Sequence, residues 1–101
     1  MLNSKQRACL RSLANSIDTI LIVGKGGVGA DVVKQADDAL AARELIKGKV
    51  LETSPVPARE AADRIASQTS SDTVFVIGSK FVLYRRNEKE PKIMLPKGRK
   101  K

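Results

Sequence analysis

Thr19-Ile20-Leu21-Ile22-Val23-Gly24-Lys25-Gly26-Gly27 runs from an apolar segment into a glycine turn, and a helical pattern opens shortly afterwards near Ala30-Asp31. A short continuous apolar run ended by glycine reads as a strand buried on both faces or lying next to helices. Strand, turn and helix in that order make an α/β unit and also a place for an anion. Glycines let the main chain turn sharply and approach a ligand closely, while the helix start offers unpaired N–H groups and the positive end of its dipole. Lys25, inside the turn, adds a charge that favours phosphate.

Upstream, residues 5–16 read as a helix capped by Ser4, because Cys9, Leu10, Leu13, Ala14 and Ile17 share one arc at 100° per residue. Arg7 and Arg11, four apart, leave from the edge of the opposite arc. Downstream, residues 31–43 place Val32, Val33, Ala36 and Leu40 on one helical stripe, with Asp31 in the first turn and Arg43 in the last. Residues 45–52 then alternate: Ile46, Gly48 and Val50 on one side of a strand, Lys47 and Lys49 on the other. Pro55 and Pro57 mark a turn before a third helix, residues 58–68, with Ala58, Ala61, Ala62 and Ile65 inward. Two β-rich runs, residues 73–77 and 80–85, flank Gly78-Ser79, the signature of a two-residue II′ hairpin. The order is αβαβαββ, an α/β domain around one small sheet with right-handed crossovers.

A chain of 101 residues has apolar material for one core. It is 42% hydrophobic and 30% charged, so it is globular, but only 3% aromatic, so the core falls to Ala, Val, Ile and Leu. No apolar run approaches the ~18 residues of a membrane span, and the N-terminus reads as a helix start rather than a secretory leader. Cys9 is the single cysteine and histidine is absent, which removes an internal disulfide, a zinc set and the commonest general acid/base. A cytoplasmic monomer without cofactor or metal is the expectation. The net charge of +8 is uneven: four basic residues and one acid up to Gly29, seven and eight from Ala30 to Tyr84, eight and two from Arg85 onward. Residues 97–101, Lys-Gly-Arg-Lys-Lys, have nothing to bury and read as a disordered basic tail.

The glycine turn admits three readings. Gly24, Gly26 and Gly29 satisfy G-x-G-x-x-G, with Glu52 ending the next strand where a dinucleotide fold places its ribose acid. The chain is short for a doubly wound sheet, however, and a dinucleotide does not require +8. Lys25-Gly26-Gly27-Val28-Gly29 also opens like the phosphate loop of partitioning-type ATPases, but Ala30-Asp31 stand where a lysine and a hydroxyl residue should follow, and Asp31 would repel a triphosphate. The third reading takes Gly24-Lys25-Gly26-Gly27 as G-x-x-G, which clamps a nucleic-acid backbone through main-chain N–H groups and lysine. A lone G-x-x-G can equally be a turn without a ligand. Here Arg7 and Arg11, Lys47 and Lys49, and Lys80 to Arg86 supply cations beside it, while the dearth of aromatics argues against a base-stacking platform.

Ser4-Lys5-Gln6-Arg7, Arg11-Ser12-Leu13-Ala14, Val23-Gly24-Lys25-Gly26-Gly27, Ala42-Arg43-Glu44-Leu45-Ile46-Lys47 and Ile77-Gly78-Ser79-Lys80-Phe81-Val82-Leu83-Tyr84-Arg85, in that order, resemble the chloroplast RNA splicing and ribosome maturation (CRM) domain in its stand-alone bacterial, YhbY-like form. The ending Pro91-Lys92-Ile93-Met94-Leu95-Pro96 is similar too, so residues 1–96 are read as one such domain. The resemblance implies a two-layer α/β sandwich with a four-stranded mixed sheet, similar to the C-terminal domain of a translation initiation factor. It also implies a non-enzymatic protein that binds structured rRNA of large-subunit precursors. Its RNA-binding set would be Gly24, Lys25, Gly26 and Gly27, with Lys5, Arg7, Arg11, Lys80 and Arg85; the alternation of the second strand adds Lys47 and Lys49. The smaller alternative is a nucleotide- or dinucleotide-binding protein using the same turn. Gly48 departs from the pattern, standing where a β-branched residue is expected, at about 0.5–1 kcal/mol of lost strand stability.

Overall fold

The computed structural model describes residues 4–86; the expected tail and the segment 91–96 lie outside them. Three helices and four strands follow the expected order: α1 (Ser4–Ala14), β1 (Thr19–Val23), α2 (Ala30–Arg43), β2 (Leu45–Val50), α3 (Ala58–Thr69), β3 (Asp72–Ile77) and β4 (Lys80–Tyr84). Ser4 is the first helical residue rather than the cap. No helix among the described residues is long and apolar enough to cross a membrane.

The sheet order is β1-β2-β4-β3, with β1 and β2 parallel and β4 antiparallel to both its neighbours. The last hairpin therefore folds back between β2 and β3. Its turn has φ +59 at Gly78, and Ser79 stays out of the positive region, which is the II′ pattern that matches strand twist.

Alternation along the strands sends side chains to two separate cores. Leu21, Val23, Ile46, Val50, Phe81 and Leu83 meet Ala36 and Leu40 of α2 and the stripe Ala58, Ala61, Ala62, Ile65 and Ala66 of α3. The small alanines let α3 lie close on the sheet. On the other face Leu45, Val74, Val82 and Tyr84 meet Leu10 and Ala14 of α1. The sheet with α2 and α3 forms the two expected layers, and α1 adds a partial third.

Of the two environments open to the run Ile20 to Val23, the structure has the one beside helices: Leu21 and Val23 pack against α2 and α3, while β1 is an edge strand whose Ile22 is 46% exposed. The expectation that changes is Gly48, which is no weak point. A Cβ at that position would lie 2.2–2.9 Å from the Phe81 ring, which fills the space over the glycine. Register pairs Gly48 with Phe81, so the bare backbone is what lets the largest fully buried side chain seat.

Candidate nucleic-acid interface

The glycine turn closes on itself. The Gly27 N–H donates to the Gly24 carbonyl at 2.9 Å, and Gly27 takes φ +68, where a side chain would be strained and would also press on Pro55 at 3.0 Å. One of the N–H groups expected to face a ligand is thereby used inside the turn. The turn is backed by Leu51, whose N–H donates to the Val23 carbonyl at 2.9 Å. Lys25 and Gly26 form the exposed tip, with open space around Gly26. Gly29 ends the loop as the N-cap of α2 in extended conformation, without a side-chain cap, so the first turn of α2 retains unsatisfied donors next to the tip.

The lysines of the second and fourth strands gather at that same end of the sheet. Register aligns Ile22, Lys49, Lys80 and Ile77 in one row across all four strands, on the face that α1 leaves uncovered. Lys47, opposite Val82, belongs to the next row. Directly opposed strand residues have Cβ atoms about 4.5–5.5 Å apart, and like charges so placed repel. No described carboxylate relieves Lys49 and Lys80: the ion pairs among described residues are Lys34–Asp38, Arg64–Glu60 and Arg85–Asp37. Lys25 and Lys47 stand outside them as well. Arg11 projects from α1 onto the same region, its guanidinium 4.9 Å from the centre of the Phe75 ring.

Two arginines of the expected set have other partners. Arg7 donates at 2.9 Å to the carbonyls of both Thr73 and Val74, where a bulge interrupts the pairing of β3 with β4. Arg85 leaves the far end of β4 towards the opposite face. It donates to Asp37 Oδ1 at 2.5 Å, to the Thr69 carbonyl at 2.8 Å and to the Asp37 carbonyl at 3.1 Å, tying the end of α3 to α2. The structure therefore does not bring Arg85 together with Lys25, Lys47, Lys49 and Lys80. Lys5 is exposed in the first turn of α1. Phe75, Asn15 and the exposed Ile22 and Ile77 were absent from the expected set; Phe75 carried a signal, as one of the few aromatics of the chain.

The dinucleotide alternative loses its geometry here. Such a ligand sits in a crevice between strands whose connections diverge, whereas β1, the strand leading into the turn, is at the sheet edge. A half-open sheet face lined by lysines that have no counter-ion among the described residues, beside a glycine turn, defines instead a small α/β domain with a basic surface. Residues 2–85 match the family model of the CRS1 / YhbY (CRM) domain, and the chain belongs to that family. It is 40% identical over 96 residues to the Bacillus subtilis protein named probable RNA-binding protein YqeI, covering 95% of this chain and 100% of that one. A Haemophilus influenzae protein named RNA-binding protein is 33% identical, covering 95% and 96%. The solution structure of a hypothetical Staphylococcus aureus protein, put forward as an RNA binder, superposes with a TM-score of 0.80 at 45% identity, covering 95% of this chain and 100% of that one.

Proposed function

We propose that this chain is a non-enzymatic RNA-binding protein that holds the backbone of structured rRNA and acts in the cytoplasm, as a monomer, on precursors of the large ribosomal subunit. The observation that carries the RNA reading is the row of unneutralised lysines on the open sheet face, at the end of the sheet where the Gly24–Gly27 turn presents Lys25. A like-charge pair in register is maintained against its own repulsion, and a polyanion is the ligand that relieves it. The names of the relatives support RNA over other polyanions, and the family resemblance supports rRNA and the large subunit. Within this reading Lys25, Lys47, Lys49, Lys80 and Arg11 contact phosphates, with Lys5 at the margin, while Arg7 and Arg85 hold the scaffold.

Four to six phosphate contacts give a log–log salt slope of about −3 to −4 on single-stranded RNA, at ~0.7 per phosphate. A slope near zero overturns the backbone reading. For the cellular role, sedimentation of lysate on a sucrose gradient should place the protein with large-subunit precursors, and ribonuclease should release it. Recovery only at the top of the gradient refutes that role, and persistence in the heavy fractions after ribonuclease points to protein contacts instead.

A further inference from the structure

Beside the lysine row, where the end of α1 overhangs the open sheet face, lies a depression of about 240 Å³ that backbone binding alone does not use. Its floor is apolar, formed by Phe75 and Val82; Arg11, Lys47 and Lys80 line its sides, and Asn15 adds a carboxamide. The volume is below the ~300–1,000 Å³ of pockets for drug-sized ligands, so it suits one ring system and not an extended molecule. Three cations without an acid among its lining residues select an anion, while the apolar floor asks for a flat apolar part on the same ligand.

A nucleotide unstacked from RNA has both parts. We propose that this depression receives one extruded nucleotide of an RNA bulge or loop, a deepening that rests on the RNA-binding reading above. The base stacks on the outer face of the Arg11 guanidinium, whose inner face covers the Phe75 ring at 4.9 Å, with Val82 beside it; that plane stacks on bases as readily as on Phe75. Lys47 and Lys80 take the flanking phosphates. The Asn15 side chain makes no hydrogen bond to another described residue, and its amide can both donate to and accept from a base edge. Asn15 follows the last residue of α1 and its backbone N–H donates to the Ser12 carbonyl at 3.2 Å, which places the residue beside the depression that it lines.

The test uses the full chain and three labelled RNA hairpins followed by fluorescence anisotropy: fully paired, with one bulged uridine, and with that bulge made abasic. The bulged hairpin should bind about tenfold more tightly than either of the others, since only it offers both base and flexible phosphates. Asn15→Ala, at an exposed site, should bring that ratio down to about two to three while leaving the salt slope unchanged, because no charge is removed. Equal affinity for all three hairpins with a steep salt slope overturns the nucleotide pocket and leaves RNA binding standing. Binding to none of them overturns both. Displacement of the bulged hairpin by an acidic aromatic peptide, without any preference for the bulge, assigns the depression to protein docking and overturns the proposal.

Discussion

The two faces of the sheet treat basic residues in opposite ways. On the face covered by α2 and α3, the inward positions are aliphatic, aromatic or glycine, and Arg85, which follows β4 on that side, is bound to Asp37 and Thr69. On the other face α1 is only 11 residues long, and beyond its end Lys47, Lys49 and Lys80 stand without a described counter-ion. A count of basic residues therefore says little about binding. What separates a structural cation from one free for a ligand is whether backbone carbonyls and carboxylates lie within its reach.

Four experiments would break or sharpen that contrast, ranked by their effect on stability. Gly48→Val strikes the closed face, where the new side chain collides with the buried Phe81 ring. Overpacking of this kind should cost about 3 kcal/mol and lower Tm by more than ~10 °C in a thermal unfolding experiment. Adding Phe81→Leu should recover part of the loss; no recovery would mean that the ring is not the obstacle. Arg85→Ala should cost about 2 kcal/mol by removing hydrogen bonds to a charged group and to the Thr69 carbonyl, with RNA affinity retained wherever the variant is folded. Weakened binding by fully folded Arg85→Ala would return that residue to the interface.

A smaller effect is expected at Tyr84, in the core under α1. Burial raises its hydroxyl above the ordinary value near 10, the Glu44 carboxylate adds to the rise, Arg86 opposes it and Asp72 contributes a little more. The folded state thus keeps its proton at a pH where the unfolded chain has lost it. The contribution is intact below about pH 10 and disappears as pH climbs through the raised value. Denaturant melts should show stability falling from about pH 10 up to the raised value, and Tyr84→Phe should flatten the fall. Simultaneous Lys47→Ala, Lys49→Ala and Lys80→Ala should change stability least, by within about 0.5 kcal/mol, since Lys49 and Lys80 are exposed and Lys47 is half-buried without a described partner. The same variant should make the RNA salt slope shallower by about 2, at ~0.7 for each lost phosphate contact. An unchanged slope would place the RNA elsewhere on the protein.

Local pattern made much of this legible. The alternation Lys47-Gly48-Lys49 fixes which side chains share a face, the stripe Ala58, Ala61, Ala62, Ile65 marks the buried side of α3, and Gly78-Ser79 specifies the hairpin. Each is set by neighbours within one turn or one pleat. What escaped depends on partners remote in sequence. The fitness of Gly48 follows from its register with Phe81, a pairing absent from either segment alone. Arg7 finds carbonyls 66 and 67 positions away, and Arg85 an aspartate 48 positions away, so both look like free surface charge until the chain is folded. The bulge between Thr73 and Phe75, which turns Phe75 towards α1, likewise has no glycine or proline to announce it.

Arg7 has a consequence for how the protein behaves when crowded with copies of itself. β3 is one of the two borders of the sheet, and an unpaired border invites another chain to add a strand and begin aggregation. The Arg7 guanidinium occupies two successive carbonyls of that border, at the bulge that already spoils its regularity. A group that looks like part of an RNA grip thus keeps the outer strand from serving as a template.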